Sequence, residues 1–335
     1  MADKAHIATD KAIGRMQRYV AKIYADAQKS VSAQFARYAA KIQTRADELY
    51  DAIKEAKTED ERKAAKLAYK RFFAKEVIRD KDFKKTANEA AETLYSANLL
   101  MAGYLNTQTP AIYAKNYNYI GEHLDEDIPD YDFTAVTEEE ADKYGNIERQ
   151  TVNERKDTRW NRDNIVRSVI GGAVLYLGVE AIMRRAARET TRKNVEAANR
   201  QISDMATSAE NSGRLDSMFR AYDEGFGVKK VWIATLDNRT RETHQNYDGE
   251  PPHELDYEYS PGLKIPRDPD CTDLAEVCNC RCRITYNTGR QRSETRAARA
   301  GDVTGSYKDQ RSFAGTQTYY VRNMSYEEWM KWRHR

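Results

Sequence analysis

The sequence predicts an α+β protein, with long N-terminal helices forming a hairpin or bundle and a small, loop-rich α+β module after them. Two observations carry this. Apolar residues recur with a helical period over the first fifty positions, and near Val228 the period changes to alternation. Five of the seven prolines then fall between 251 and 269, where they punctuate loops.

The first helix is predicted over residues 10–56. Its stripe runs Ile13, Met16, Val20, Ile23, Ala27, Val31, Phe35, Tyr38, Ile42, Ala46, Leu49, Ile53, with steps of three and four. These average about 3.6, the period of a straight α-helix. Asp10 is the predicted N-cap. Lys57–Asp60 reads as a turn in which Thr58 caps a second helix. That helix is expected to run to about Leu100, with Gly103 and Pro110 ending it. Residues 1–103 thus form one helical hairpin, whose stripe also suits self-association.

Residues 104–159 read as a Tyr-rich, acidic connector. Tyr is abundant in this chain, 22 against 8 Phe, and Tyr suits wet contact surfaces. A helical segment is expected over 160–227. Within it Val169–Met183 is apolar on nearly every side, the pattern of a buried helix. No apolar run reaches the ~18–20 residues of a membrane span. Met1–Asp10 lacks the apolar core of a secretory signal, so a cytosolic chain is expected. The net charge of +2, from 55 Lys+Arg against 53 Asp+Glu, excludes a uniformly basic nucleic-acid coat but leaves room for local basic patches.

The module at 228–286 holds the informative residues. In order they are a strand with Lys230 and Trp232, then Asp237-Asn238-Arg239-Thr240-Arg241-Glu242-Thr243-His244, the pair Asp248-Gly249, Pro266 and Pro269, and Cys278-Asn279-Cys280-Arg281-Cys282. All four cysteines lie between Cys271 and Cys282, which in a reducing compartment points to a metal site or free thiols rather than a disulfide frame. Cys280 and Cys282 are alternate residues and point the same way on a strand. With His244 they make part of a tetrahedral zinc set, to be completed by Cys271 or Asp237. Buried or free thiols are the other reading of the same residues. Gly249 is expected to supply a positive φ in a Asp-Gly turn. His253 reads as a loop histidine in water. The chain carries no nucleophile elbow, P-loop, H-E-x-x-H or dinucleotide fingerprint, so no enzyme is expected.

These motifs resemble the phage head morphogenesis family, the Mu F-like minor head proteins. The pattern is a Trp-containing strand, D-x-R-x-R-x-x-H, a D-G pair, a Pro-Asp loop and a terminal N-C-R-C. In this chain it rests on Trp232, Asp237, Arg239, Arg241, His244, Asp248, Gly249, Cys280 and Cys282. The resemblance covers about 60 of the 335 residues. Cys271 and Cys278 depart from the family's pattern. The resemblance implies a minor capsid protein of a tailed phage, acting in head assembly, with portal and capsid proteins as partners and the virion interior as its location. The alternative is a zinc-stabilised nucleic-acid-binding or nuclease module of mobile-element origin.

Residues 287–335 read as a basic tail closed by a short helix at Tyr326–Trp332. Arg290, Arg292, Arg296 and Arg299, with Arg281 and Arg283 before them, face one acid, Glu294. They are candidate contacts to the phosphates of packaged DNA, without sequence preference; solvated arginines on a loose tail are the other reading.

Overall fold

The computed structural model describes residues 3–289, 295–300, 317–322 and 324–333. Six helices come first: α1 (Lys4–Glu55), α2 (Glu59–Arg71), α3 (Lys81–Asp127), α4 (Glu138–Tyr144), α5 (Glu154–Val174) and α6 (Val179–Asp223). A π-helical turn, Phe72–Val77, joins α2 towards α3. Then follow β1 (Lys229–Ile233), α7 (Glu242–Tyr247), α8 (Leu274–Val277), β2 (Arg283–Asn287), β3 (Thr295–Ala300), β4 (Gln317–Arg322) and α9 (Tyr326–Arg333). The α+β class, with long helices first and a small β and loop module after them, is as the sequence predicts. Among the described residues no helix is long and apolar enough to cross a membrane.

The division along the chain differs from the expected one. Two compact units form, each from separated stretches: Met1–Met16, Leu105–Arg149 and Arg200–Arg335 in one, Gln17–Tyr104 and Gln150–Asn199 in the other. Long helices pass from unit to unit, so neither a 1–103 hairpin nor an isolated 228–286 module stands alone.

In the second unit the α1 stripe does what its period requires. Val20, Tyr24, Ala27, Val31, Phe35, Tyr38 and Ala46 are buried, each large apolar side chain contributing about 1.5–3 kcal/mol. Thr58 caps α2 in a capping box with Glu61. The predicted second helix is broken at Phe72–Val77, where a wider turn rotates Phe72, Phe73 and Val77 into the core. The expected single helix across Val169–Met183 is also two, because the chain turns between Val174 and Val179. Val169, Ile182 and Met183 go inside while Ile170, Val174 and Leu175 stay exposed. A buried polar lattice sets the register. The Asn98 amide donates to Asp157 (2.8 Å) and to Asn194 (3.0 Å), and Asn194 donates to Asn161 (2.7 Å).

In the first unit the helix start is Asp3, not Asp10. The Asp3 carboxylate accepts the His6 backbone N–H at 2.9 Å, and Asp10 lies inside α1. Residues 104–127 are helix rather than connector, since α3 continues through Gly103 and Pro110. Pro110 cannot donate to the Asn106 carbonyl four residues back. The Arg149 guanidinium donates to that carbonyl instead, at 3.1 Å. Tyr113, Tyr117 and Tyr131 are therefore core residues. Gly213 lets α6 close on α3, because a Cβ there would stand 2.5 Å from the Tyr113 carbonyl oxygen.

The β1–β2 pair is antiparallel, with Trp232 opposite Ile284 and Val231 opposite Thr285. Ile284, Val228, Leu255 and Ile265 share one core cluster with Leu215 and Met218 of α6 and with Ile120 and Leu124 of α3. A buried ion network holds β2 to the N-terminus. Arg214 donates to Asp3 at 3.0 Å and to the Ile284 carbonyl at 3.2 Å, while Arg283 donates to Asp3 at 2.8 Å.

Candidate metal centre

Three side chains from two places in the chain converge in the first unit. His244 comes from α7, while Cys280 and Cys282 come from the extended approach to β2. His244 Nδ1 lies 3.6 Å from Cys280 Sγ and 3.6 Å from Cys282 Sγ. All three ligand atoms fall within 4.8 Å of one another, and together they can hold a metal ion. The three residues are 1%, 2% and 4% exposed, so the set is closed off from bulk water.

The surrounding hydrogen bonds explain how the sequence places them. Asn211 of α6 accepts from the Ile284 N–H at 2.8 Å and donates to the Cys282 carbonyl at 3.2 Å, which fixes the chain just after Cys282. Asn279 adopts φ 55°, and its N–H donates to the Asp204 carboxylate at 2.8 Å. That left-handed residue turns the chain so that Cys280 and Cys282 both face His244. Between them Arg281 points away, to Asp237 at 2.7 Å. Arg241 precedes α7 and donates to the Cys278 carbonyl, tying the histidine segment to the cysteine segment. Trp232 on β1 packs edge-on against the His244 ring, with centroids 5.0 Å apart.

His244 Nε2 lies 3.0 Å from the Glu276 carboxylate, which also accepts from Thr243 Oγ1 at 3.1 Å. A carboxylate accepts, so Nε2 donates to Glu276, and Nδ1 is the nitrogen left to face an ion held between it and the sulfurs. An outer carboxylate of this kind orients metal-ligating histidines and raises their basicity. Burial pushes the Cys280 thiol up, and the neighbouring Cys282 adds to the rise. For Cys282 burial acts in the same direction, but the hydrogen bond from Cys280 and the adjacent His244 outweigh it and hold this thiol low. A metal ion bound here would take the sulfurs as thiolates, the form that binds metals.

The completing ligand expected from Cys271 or Asp237 is not found there. Cys271 lies in the same core cluster, yet its sulfur does not join the three, and it faces the Pro261 carbonyl at 3.7 Å. Asp237 forms a tight loop, accepting from the Arg239 N–H at 2.9 Å, and pairs with Arg281. Arg239 stands beside it at 3.9 Å.

The Asp248-Gly249 pair is also used differently from its expected role. Gly249 does not have a positive φ, so its backbone does not require glycine. Asp248 carries the function instead. Its carboxylate accepts from the Ala234 N–H (2.7 Å), the Tyr326 N–H (2.6 Å) and the Arg296 guanidinium (2.6 and 3.0 Å). Arg296 is buried in that pair and is unavailable to phosphate, which corrects its reading as a DNA contact. Arg281 and Arg283 are likewise committed to Asp237 and Asp3. Arg290, Arg292 and the side chain of Arg299 lie outside the described residues. The terminal helix predicted at Tyr326–Trp332 is present as α9, and its Trp329 packs with Leu236 and Met324.

Two further residues have roles that the sequence does not state: Glu276 lies in no motif, and Lys230 is on the motif strand without a role assigned to it. Glu276 is 32 positions from the histidine it orients, and nothing in its local sequence separates it from other loop acids. Lys230 is buried under β1, where it donates to the Leu255 and Tyr257 carbonyls at 2.7 and 2.6 Å; burial lowers it to about 8. His253, expected in open water, is half-buried and stacks on Tyr257 at 3.7 Å.

No family model, curated protein or solved structure matches the chain.

Proposed function

We propose that this chain is a zinc-braced assembly protein, a minor capsid component of a tailed-phage head that works beside the portal in the virion interior. The observation that carries the reading is the closed His244, Cys280 and Cys282 set. In a tetrahedral site with Zn–N of about 2.0–2.1 Å and Zn–S of about 2.3 Å, the N···S edge is about 3.6 Å. Both N···S separations in the structure are 3.6 Å. Bound zinc would supply a cross-link between α7 and the approach to β2, held by His244 Nδ1 and the two sulfurs with Glu276 orienting the ring.

The motif residues support a structural use. Asp237, Arg241, Asp248 and Trp232 are all spent on internal bonds or packing around the three ligands. The motif pattern in turn supports the head-assembly role, with portal and capsid proteins as partners. Contact with packaged DNA, in this reading, is electrostatic and falls to Arg290, Arg292 and Arg299. One observation favours the alternative, a metal nuclease: three protein ligands leave one tetrahedral position for water. The burial of all three weighs against it.

Metal analysis of the purified full chain tests the centre. About one zinc per chain is expected, lost in Cys282→Ser, while Glu276→Gln weakens zinc binding by roughly 10–100-fold. Co-expression with portal and major capsid proteins tests the role, with incorporation into procapsids as the expected result. Metal-dependent DNA cleavage that His244→Ala abolishes would overturn the structural reading and establish the nuclease.

A further inference from the structure

A groove in the first unit, about 780 Å³ in volume, lies between the first turns of α1 and the middle of α3, with the Val136–Glu138 segment as its end wall. It is separate from the metal centre, and no motif points to it. Four cations edge it: Lys4, Lys11 and Arg15 from α1 and Lys115 from α3, against one carboxylate, Glu138. All four are exposed, and none has an ion-pair partner among the described residues. At 100° per residue the three on α1 fall within about 40° of arc and span about 16 Å along the axis.

The floor differs from the rim. Ile7, Ala8 and Ala12 of α1 and Ala111 of α3 line it beside the cations, and the three alanines are small enough for another backbone to come close. Asn118 holds the end wall in place through paired bonds with Val136, accepting at 2.8 Å and donating at 2.9 Å. Among the described residues that line the groove none is aromatic, so a nucleic-acid base has no ring to stack on.

We propose that this groove docks an acidic amphipathic helix of a partner protein, about three turns long. Its apolar stripe lies on the alanine floor, and its flanking carboxylates meet Lys4, Lys11, Arg15 and Lys115. This is the helix-in-groove mode of recognition, with charge setting orientation and partner choice. The inference stands independently of the metal centre and of the head-assembly reading.

The test is a titration of the full chain with a synthetic 18-residue peptide that has leucines every three or four positions and glutamates on both flanks. Saturable binding is expected, weakened at least tenfold by Lys11→Glu with Arg15→Glu and weakened again as salt rises. Both substituted residues are exposed, so the thermal midpoint should stay unchanged. Ala12→Trp, which fills the floor and leaves the charge alone, should abolish binding. Absence of peptide binding at low salt, or equal binding of a scrambled peptide of the same composition, would overturn the proposal. So would displacement of the peptide by duplex DNA together with insensitivity to Ala12→Trp, which would make the groove a phosphate surface.

Discussion

Asp248→Ala should release the C-terminal segment from the module that carries the candidate metal centre. Asp248 is the one carboxylate that β1, β3 and the start of α9 all use, through the Ala234 N–H, Arg296 and the Tyr326 N–H. Its side chain is fully buried and that of Arg296 is 4% exposed. Removing the carboxylate leaves a guanidinium in the interior with, among the described residues, the Met324 and Ala234 carbonyls as its remaining partners, both at 2.5 Å. Breaking a buried pair in this way costs about 3–5 kcal/mol, most of it the penalty of the charge left behind. At 1.4 kcal/mol per factor of ten, the local opening equilibrium of α9 should rise by roughly two to three and a half powers of ten. Hydrogen exchange of the amides around Trp329 reads this directly, and the Trp329 emission should shift red as the ring leaves its buried site. The double variant Asp248→Ala with Arg296→Met should recover more than half of the loss, because no charge then remains inside. A single-variant cost below about 1 kcal/mol, or a double variant no better than the single one, would refute the reasoning.

Two other expectations come from the first unit. Arg149→Ala should cost about 1 kcal/mol by removing the donor to the Asn106 carbonyl, and less in a Pro110→Ala background, where a backbone N–H competes for that oxygen; a urea-unfolding double-mutant cycle showing no coupling would reject the compensation. The N-terminal network should give a stability optimum at mildly acidic pH. Burial opposes the Asp3 charge, yet Arg214 and Arg283 outweigh it and hold the carboxyl far below its usual range, so its stabilisation is present above about pH 4 and lost as pH falls. Burial also opposes the His6 charge, but Glu210 and Asp10 outweigh it and raise this group, so its share is full below about pH 6.5 and lost as pH rises through the folded value. Unfolding curves from pH 3 to 9 should therefore flatten on the alkaline side in His6→Gln and on the acid side in Asp3→Asn; unchanged profiles would remove the network from the pH response.

Local patterns determined a good deal of this protein. The three-and-four spacing from Val20 to Ala46 sufficed for a buried helical stripe, because one helix face reports its own period. Thr58 and Glu61 sufficed for a cap, because both partners lie within one turn. The alternation of Cys280 and Cys282, with His244 in its motif, was enough to bring three candidate ligands into view. Tertiary structure decided what depends on partners far along the chain. Pro110 reads locally as a stop, yet α3 passes through it because Arg149, 39 residues later, answers the carbonyl it leaves. Arg296 reads as a free cation on a basic tail, yet Asp248, 48 residues earlier, takes it into the interior. Glu276 has no mark of its own, and becomes the orienting carboxylate of His244 only because α7 and α8 fold together. Helix period and capping are satisfied within a turn or two of chain, so sequence shows them. The pairing of a buried charge or a spare carbonyl is satisfied by whatever the fold brings near, and spacing along the chain does not encode it.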